Sequence, residues 1–217
     1  MRDCNVLHFR QPREGSYRTG AVLSDRRLPG PIPVARVAAV EIAVHWRWVV
    51  ALSLSTALLA TVLPGRFPAW DAPTLWLTSA AAVVAGEIML LLHELSHVVA
   101  ARGRGHAVQR IVFHGFVAET VVGRPAQVCA PRHEVLIALV GPGTNLALAG
   151  ALAALRLVLP AGSPASLVAL LLALGNTATA AISLMPVGPS DGRRALVALR
   201  EVRSQKSDVR RYEDRRV

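Results

Sequence analysis

Cysteine is nearly missing from this chain, and acidic residues are few. Only Cys4 and Cys129 occur in 217 residues, and neither has metal-ligand spacing to the other. That excludes a cysteine-built zinc site and a disulfide framework, and both thiols read as ordinary reduced side chains on the cytoplasmic side. Charged residues make up 18% of the chain against 53% hydrophobic, too little charge for an ordinary soluble domain. The first 40 residues lack a compact apolar region ending at a small-residue cleavage site, so no cleavable signal peptide is expected. No internal repeat is visible, which weighs against a transporter built from inverted halves.

What the chain does have is long apolar runs. Four of them, at about 47–64, 75–101, 134–159 and 166–187, are long enough to cross a bilayer as helices. Trp46 and Trp48 suit the membrane interface at the start of the first. Leu63-Pro64-Gly65 ends the first run, Gly103 and Gly105 stop the second, and Leu159-Pro160-Ala161-Gly162 closes the third. Segment 108–122, rich in Val, Ile and Phe and broken by Gly115, reads as a β-hairpin too short and too polar to span. The expected class is an all-α polytopic membrane protein with about four transmembrane helices and a short membrane-associated β-hairpin between the second and third. Residues 1–35 read as a disordered basic cytoplasmic arm, 36–200 as the transmembrane domain and 201–217 as a charged cytoplasmic tail, with 193–204 able to start as a surface helix.

The net charge of +10 is distributed in a way that excludes a nucleic-acid face. Arginines cluster before the first helix, between the second and third (Arg102, Arg104, Arg110, Arg124, Arg132) and after the fourth (Arg193 through Arg216). Only Arg66 and Arg156 belong to the two opposite connections. This alternation follows the positive-inside rule and predicts that both termini are cytoplasmic in a multi-pass cell-membrane protein.

Inside the second apolar run stands His93-Glu94-Leu95-Ser96-His97. Histidines four apart share one face of a helix, so both imidazoles reach one ion, and the glutamate between them points at water held there. Ionisable groups are costly at membrane depth and mark function. With the N-terminus inside, helices two and four both run from outside to inside. His93, His97 and Asp191 therefore arrive at the same depth, giving three protein ligands for one Zn2+ and an open fourth position. Glu94 then serves as the general base, and Asn145 as a neutral donor to the developing oxyanion or to substrate backbone.

HELSH at 93–97, GPGTN at 141–145 and LMPVGPSDG at 184–192, in that order, resemble the site-2 protease family of intramembrane zinc metalloproteases. VHW at 44–46, the segment around Gly115, and Asn176 are also similar, and the likeness covers about 36–200. It is nearest to the small bacterial branch whose members often carry a CBS-domain pair; neither that pair nor a PDZ insertion is seen in this sequence. The resemblance implies cleavage of a membrane-spanning protein such as an anti-sigma factor. It implies His93, His97 and Asp191 as zinc ligands, Glu94 as catalytic glutamate, Asn145 near the active site and the Gly115 hairpin as an edge for extended substrate. Ser183, Gly188, Ser190, Ser96 and Arg193 depart from the residues common in the family at those positions. The rival reading is a catalytically inactive membrane scaffold that keeps the fold, favoured by the altered 183–190 loop. It is separated from an enzyme by whether Asp191 reaches both histidines. Four further residues carry open alternatives: Glu87 lines a water path or is a hydrogen-bonded carboxyl in the bundle; His45 approaches the site or sits at the interface; His114 gates by pH or is merely interfacial; Asn176 bonds across helices or only packs. The sequence does not set an oligomeric state.

Overall fold

The computed structural model describes residues 30–37, 39–105, 108–115, 118–122 and 130–214. Most of the expected N-terminal arm, and both Cys4 and Cys129, lie outside them. The chain runs through strands β1 (Ile32–Val37) and β2 (Val40–Val44), then helices α1 (Trp46–Val62) and α2 (Ala72–Arg102). Strands β3 (Val108–Phe113) and β4 (Ala118–Val122) follow, then helices α3 (Pro131–Val158), α4 (Pro164–Leu184) and α5 (Asp191–Asp214).

Helices α1 to α4 match the four apolar runs. Their apolar windows have mean hydropathies of 1.7, 1.9, 1.8 and 1.9, yet only 17, 22, 33 and 28% of each is buried within the protein. Side chains such as Leu54, Leu58, Leu157 and Val158 face outward, more than 60% exposed. Such surfaces are compatible with hydrocarbon and not with water, and the chain is a multi-pass membrane protein.

Local chemistry sets the helix ends. Asp71 accepts from the Thr74 amide at 3.0 Å to open α2, and Ser163 accepts from the Ser166 amide at 3.2 Å to open α4. A proline stands in the first turn of each, where its missing N–H costs nothing. The hydrogen bonds from Thr74 hold the Asp71 carboxyl below its ordinary range. Gly103 closes α2, its amide returning to Val99 O at 3.0 Å.

The sheet is larger than the expected hairpin. Its order is β1-β2-β3-β4, with β2 parallel to β3 and the outer pairs antiparallel. The parallel pair follows from the chain's path: α1 and α2 cross and return between β2 and β3, which brings both strands to one end of the bundle. Gly115, at φ +121°, makes the β3–β4 turn in a region closed to side chains with a Cβ. Glu41 and Arg110 face one another in the parallel register and pair at 2.8 Å. Val40, Ile42, Ile111 and Phe113 are buried against Val98 and Ala101 of α2 and Ile137 of α3. The sheet thus packs on the helix segments that carry the motif.

Two boundaries are corrected. Residues 32–35, expected within the disordered arm, belong to β1. The expected surface helix is α5, which reaches Asp214 instead of ending near 204.

Trp48 links α1 to α2, its indole Nε1 donating to Glu87 Oε2 at 2.8 Å while its ring meets Phe113 edge-on. Glu87 is therefore a hydrogen-bonded carboxyl between helices. Trp48→Phe keeps a ring beside Phe113 and removes the donor; the expected cost is ~1 kcal/mol, read as a lower midpoint of unfolding in detergent.

Candidate metal centre

The helical period of α2 puts His93 and His97 on one face, and both are buried, at 4% and 6% exposure. Asp191, the first residue of α5, approaches them from the loop that follows α4. His97 Nε2 lies 3.2 Å from His93 Nε2 and 3.3 Å from Asp191 Oδ2, and His93 Nε2 lies 3.5 Å from the same oxygen. The sequence places these ligands together through membrane topology and the family resemblance; the structure brings all three atoms within 3.5 Å of one another.

The spacing suits an ion. Tetrahedral ligands at zinc–nitrogen and zinc–oxygen lengths of ~2.0–2.1 Å stand ~3.3–3.4 Å apart, the separation seen here. The tautomer agrees: His97 Nδ1 donates to Ile137 O at 2.7 Å, which leaves Nε2 as a lone pair facing the other two ligand atoms. Two imidazole nitrogens and a carboxylate oxygen aimed at one buried point, with no protein donor between them, are the donor set of a metal site. Gly141 makes it fit. A Cβ there would land on Nε2 of His97 and within 2.7 Å of Nε2 of His93. Pro142 follows it; it cannot donate to the carbonyl four residues back and loosens α3 beside the carbonyl that receives His97.

Asp191 is held from both sides. Ser183 Oγ donates to Oδ2 at 2.6 Å, and Arg194 Nη1 stands 3.5 Å from Oδ1. Arg194 in turn binds Glu134 Oε1 through Nη2 at 2.7 Å and Nε at 3.1 Å. The Ser183 hydroxyl, donating to the ligand oxygen itself, favours the ionised Asp191 carboxylate that a metal ligand must be.

The family departures at 183–193 form a consistent loop. Ser183 is the Asp191 partner just named. Ser190 caps α5, its Oγ accepting from the Arg193 amide at 3.3 Å while its hydroxyl donates to Met185 O. Gly188 has φ +58°, which proline cannot adopt, and its carbonyl accepts from Arg193 Nη1 at 3.1 Å. Sequence reasoning missed Ser183, Glu134 and Arg194 as supports of the site; the position of Ser183 in the family motif was the one available signal. Removing such an outer partner lowers metal affinity by ~10–100-fold. Ser183→Ala and Arg194→Met are expected to show that loss in zinc titrations, and zinc retention is expected to fall on acidification as the histidines protonate.

The remaining candidates fall as follows. Glu94 lies between the two histidines on α2 and is 9% exposed. Asn145, at 1% exposure, stands one turn along α3 from Gly141, and its Nδ2 has no protein partner. Asn176 donates to Leu172 O at 2.8 Å within its own helix. His45 caps α1, accepting from the Arg47 amide at 3.3 Å, with the His114 ring 6.0 Å away. Neither His45 nor His114 belongs to the ligand group, which among the described residues is His93, His97 and Asp191.

The fold and this group define a polytopic membrane protein whose His93, His97 and Asp191 could together hold a metal ion. The chain is 37% identical over 171 residues to a curated protein of Mycobacterium tuberculosis named "Putative zinc metalloprotease Rip3", in the Erdman and H37Rv strains alike. The match takes in 77% of this chain and 43% of that protein, so the chain spans less than half the length of the relatives it matches. A solved structure, the site-2 protease from Methanocaldococcus jannaschii, superposes with a TM-score of 0.59 at 19% identity, over 78% of this chain and 71% of that one. No family model matches. The chain belongs to the site-2 protease family.

Proposed function

We propose that this protein is a zinc-dependent intramembrane endopeptidase that cleaves a membrane-spanning protein, as in regulated intramembrane proteolysis. The observation that carries the reading is the convergence of His93 Nε2, His97 Nε2 and Asp191 Oδ2 at tetrahedral spacing beside buried Glu94. A scaffold has no use for a buried glutamate next to three ligands.

His93, His97 and Asp191 would hold one zinc. When bound, zinc acts as a Lewis acid toward the scissile carbonyl and acidifies the attacking water. Glu94 accepts the proton of that water and delivers it to the leaving amine. Asn145, whose Nδ2 is buried and unpartnered, donates to a carbonyl oxygen of the substrate. A helical substrate must unwind before its peptide bond is reachable, and β4, at one edge of the sheet, offers backbone groups to the extended segment.

The substrate is a single-span membrane protein, of which an anti-sigma factor is one kind. The site lies toward the cytoplasmic leaflet with both termini cytoplasmic. The arginine distribution supports that orientation, as does the placing of the α2 C-terminus, the sheet and the start of α5 at one end of the bundle.

The test is cleavage of a panel of transmembrane peptides weakened by helix breakers, by purified protein in detergent. Activity is expected in the zinc-loaded protein, lost on chelation and restored by zinc. Activity that survives complete zinc removal would sink the reading.

A further inference from the structure

Helix α5 follows the last span after a short loop, and its Arg194 binds Glu134 in the first turn of α3 at 2.7 Å. It therefore starts at the end of the bundle where α3 begins and α4 stops, the level at which hydrocarbon gives way to headgroups. Ala195 and Ala198 are buried and Val202 is half-buried, at the spacing of one helix face, so this face is turned to the protein. The rest of the helix surface is sorted by charge. Leu196 and Leu199 are exposed, at 37% and 42%, on a face they share with Arg200 and Arg203. Arg193 lies two turns before Arg200, and Lys206 one turn after Arg203, on the same side. Across 193–207 five cations stand against one acid, Glu201, which occupies the other flank.

These cations are not spent on the protein. Arg194 is taken by Glu134 and Asp191, and Arg193 by the Gly188 carbonyl. Arg200, Arg203 and Lys206 are exposed and make no ion pair with another described residue. A face of cations interleaved with leucines suits neither water alone nor hydrocarbon alone. It suits a surface of negative groups over an apolar layer, with the leucines at the acyl boundary and the long basic side chains reaching the phosphates. The leucines are not an isolated patch either. Leu184, Met185 and Val187, just ahead of α5, are exposed as well and carry the outward apolar surface of α4 toward this helix.

We propose that the outer face of α5 binds anionic phospholipid headgroups, and that this contact holds Asp191 against the two histidines. Asp191 is the first residue of the helix, and the link is stiff. A Cβ at Gly192 would land on the Leu184 carbonyl, so α5 is seated on the end of α4 without slack. A helix drawn to the membrane surface carries its carboxylate with it. The proposal concerns lipid and metal and not cleavage, so it stands or falls apart from the protease reading.

The experiment places the whole chain in nanodiscs of phosphatidylcholine with about one-third phosphatidylglycerol, a fluorophore on Ser204→Cys and serine at both native cysteines. Both leaflets of the disc carry the anionic lipid, so the result does not depend on which side is cytoplasmic. A trace of spin-labelled phosphatidylglycerol is expected to quench the fluorophore roughly twofold or more over the same amount of spin-labelled phosphatidylcholine. Arg200→Gln, Arg203→Gln and Lys206→Gln together are expected to abolish that preference, whereas Arg200→Lys with Arg203→Lys, which keeps the charge, retains it. Equal quenching by the two lipids would leave the cations to an acidic protein partner and overturns the proposal, as does a preference that survives the triple change. The second readout is zinc affinity by chelator competition. It is expected to be roughly threefold or more higher with phosphatidylglycerol than in phosphatidylcholine alone, and the triple variant is expected to lose that gain. A negative surface attracts zinc by itself, but removing cations only strengthens that attraction, so a lost gain reports the helix. No gain in wild type, or an equal gain in the variant, overturns the hold on Asp191.

Discussion

Glu94→Gln is expected to lower the rate of peptide cleavage by ~10³-fold while leaving one zinc bound per chain. The amide is nearly isosteric with the carboxylate, so the packing of α2 is preserved. It cannot accept a proton from water, and the three ligand atoms belong to other residues. Zinc analysis and cleavage measured on the same preparation separate the two effects. Loss of zinc in this variant would mean that Glu94 supports the metal site, and an unchanged rate would mean that another group moves the proton.

The second large effect is expected at Gly141. Gly141→Ala places a methyl group on Nε2 of His97 and against Nε2 of His93, the two nitrogens that face the metal position. Neither imidazole can yield freely: His97 is pinned through Nδ1 to the Ile137 carbonyl, and both histidines are buried. The helices must separate or a ligand must leave. Overpacking of this kind costs ~1–3 kcal/mol; if it falls on the zinc-loaded state alone, affinity drops by roughly 5–150-fold. Competition with a chelator of known affinity measures the loss, and cleavage is expected to fall in parallel. Gly143→Ala is the control, because a Cβ there meets nothing within 4 Å.

These predictions mark where the sequence was legible and where it was not. The four spans could be read because a bilayer demands long uninterrupted apolar runs, and their ends carry proline, glycine and capping residues. His93, Glu94 and His97 could be read because the helical period alone puts the histidines on one face. Asp191, nearly a hundred residues away, was reachable by following the direction of each crossing and through the resemblance of 184–192 to the family motif. The hairpin around Gly115 was visible as a β-rich segment with a turn glycine in it. Strands β1 and β2 were hidden. Segment 32–44 contains Pro33 and several alanines, poor strand formers, and it is organised by pairing with β3, far along the chain. Ser183, Glu134 and Arg194 were hidden for a related reason. Their contacts with Asp191 and with one another exist only after α3, α4 and α5 have packed.

The most direct measurement is mass spectrometry of a helix-weakened transmembrane peptide after incubation with zinc-loaded wild-type protein and with Glu94→Gln at equal zinc content. The expected result is a pair of fragments that share a cut inside the transmembrane segment, formed by wild type and absent from the variant. Equal fragments from both proteins, or none from wild type carrying one zinc per chain across the whole peptide panel, would contradict the assignment of this site to intramembrane proteolysis.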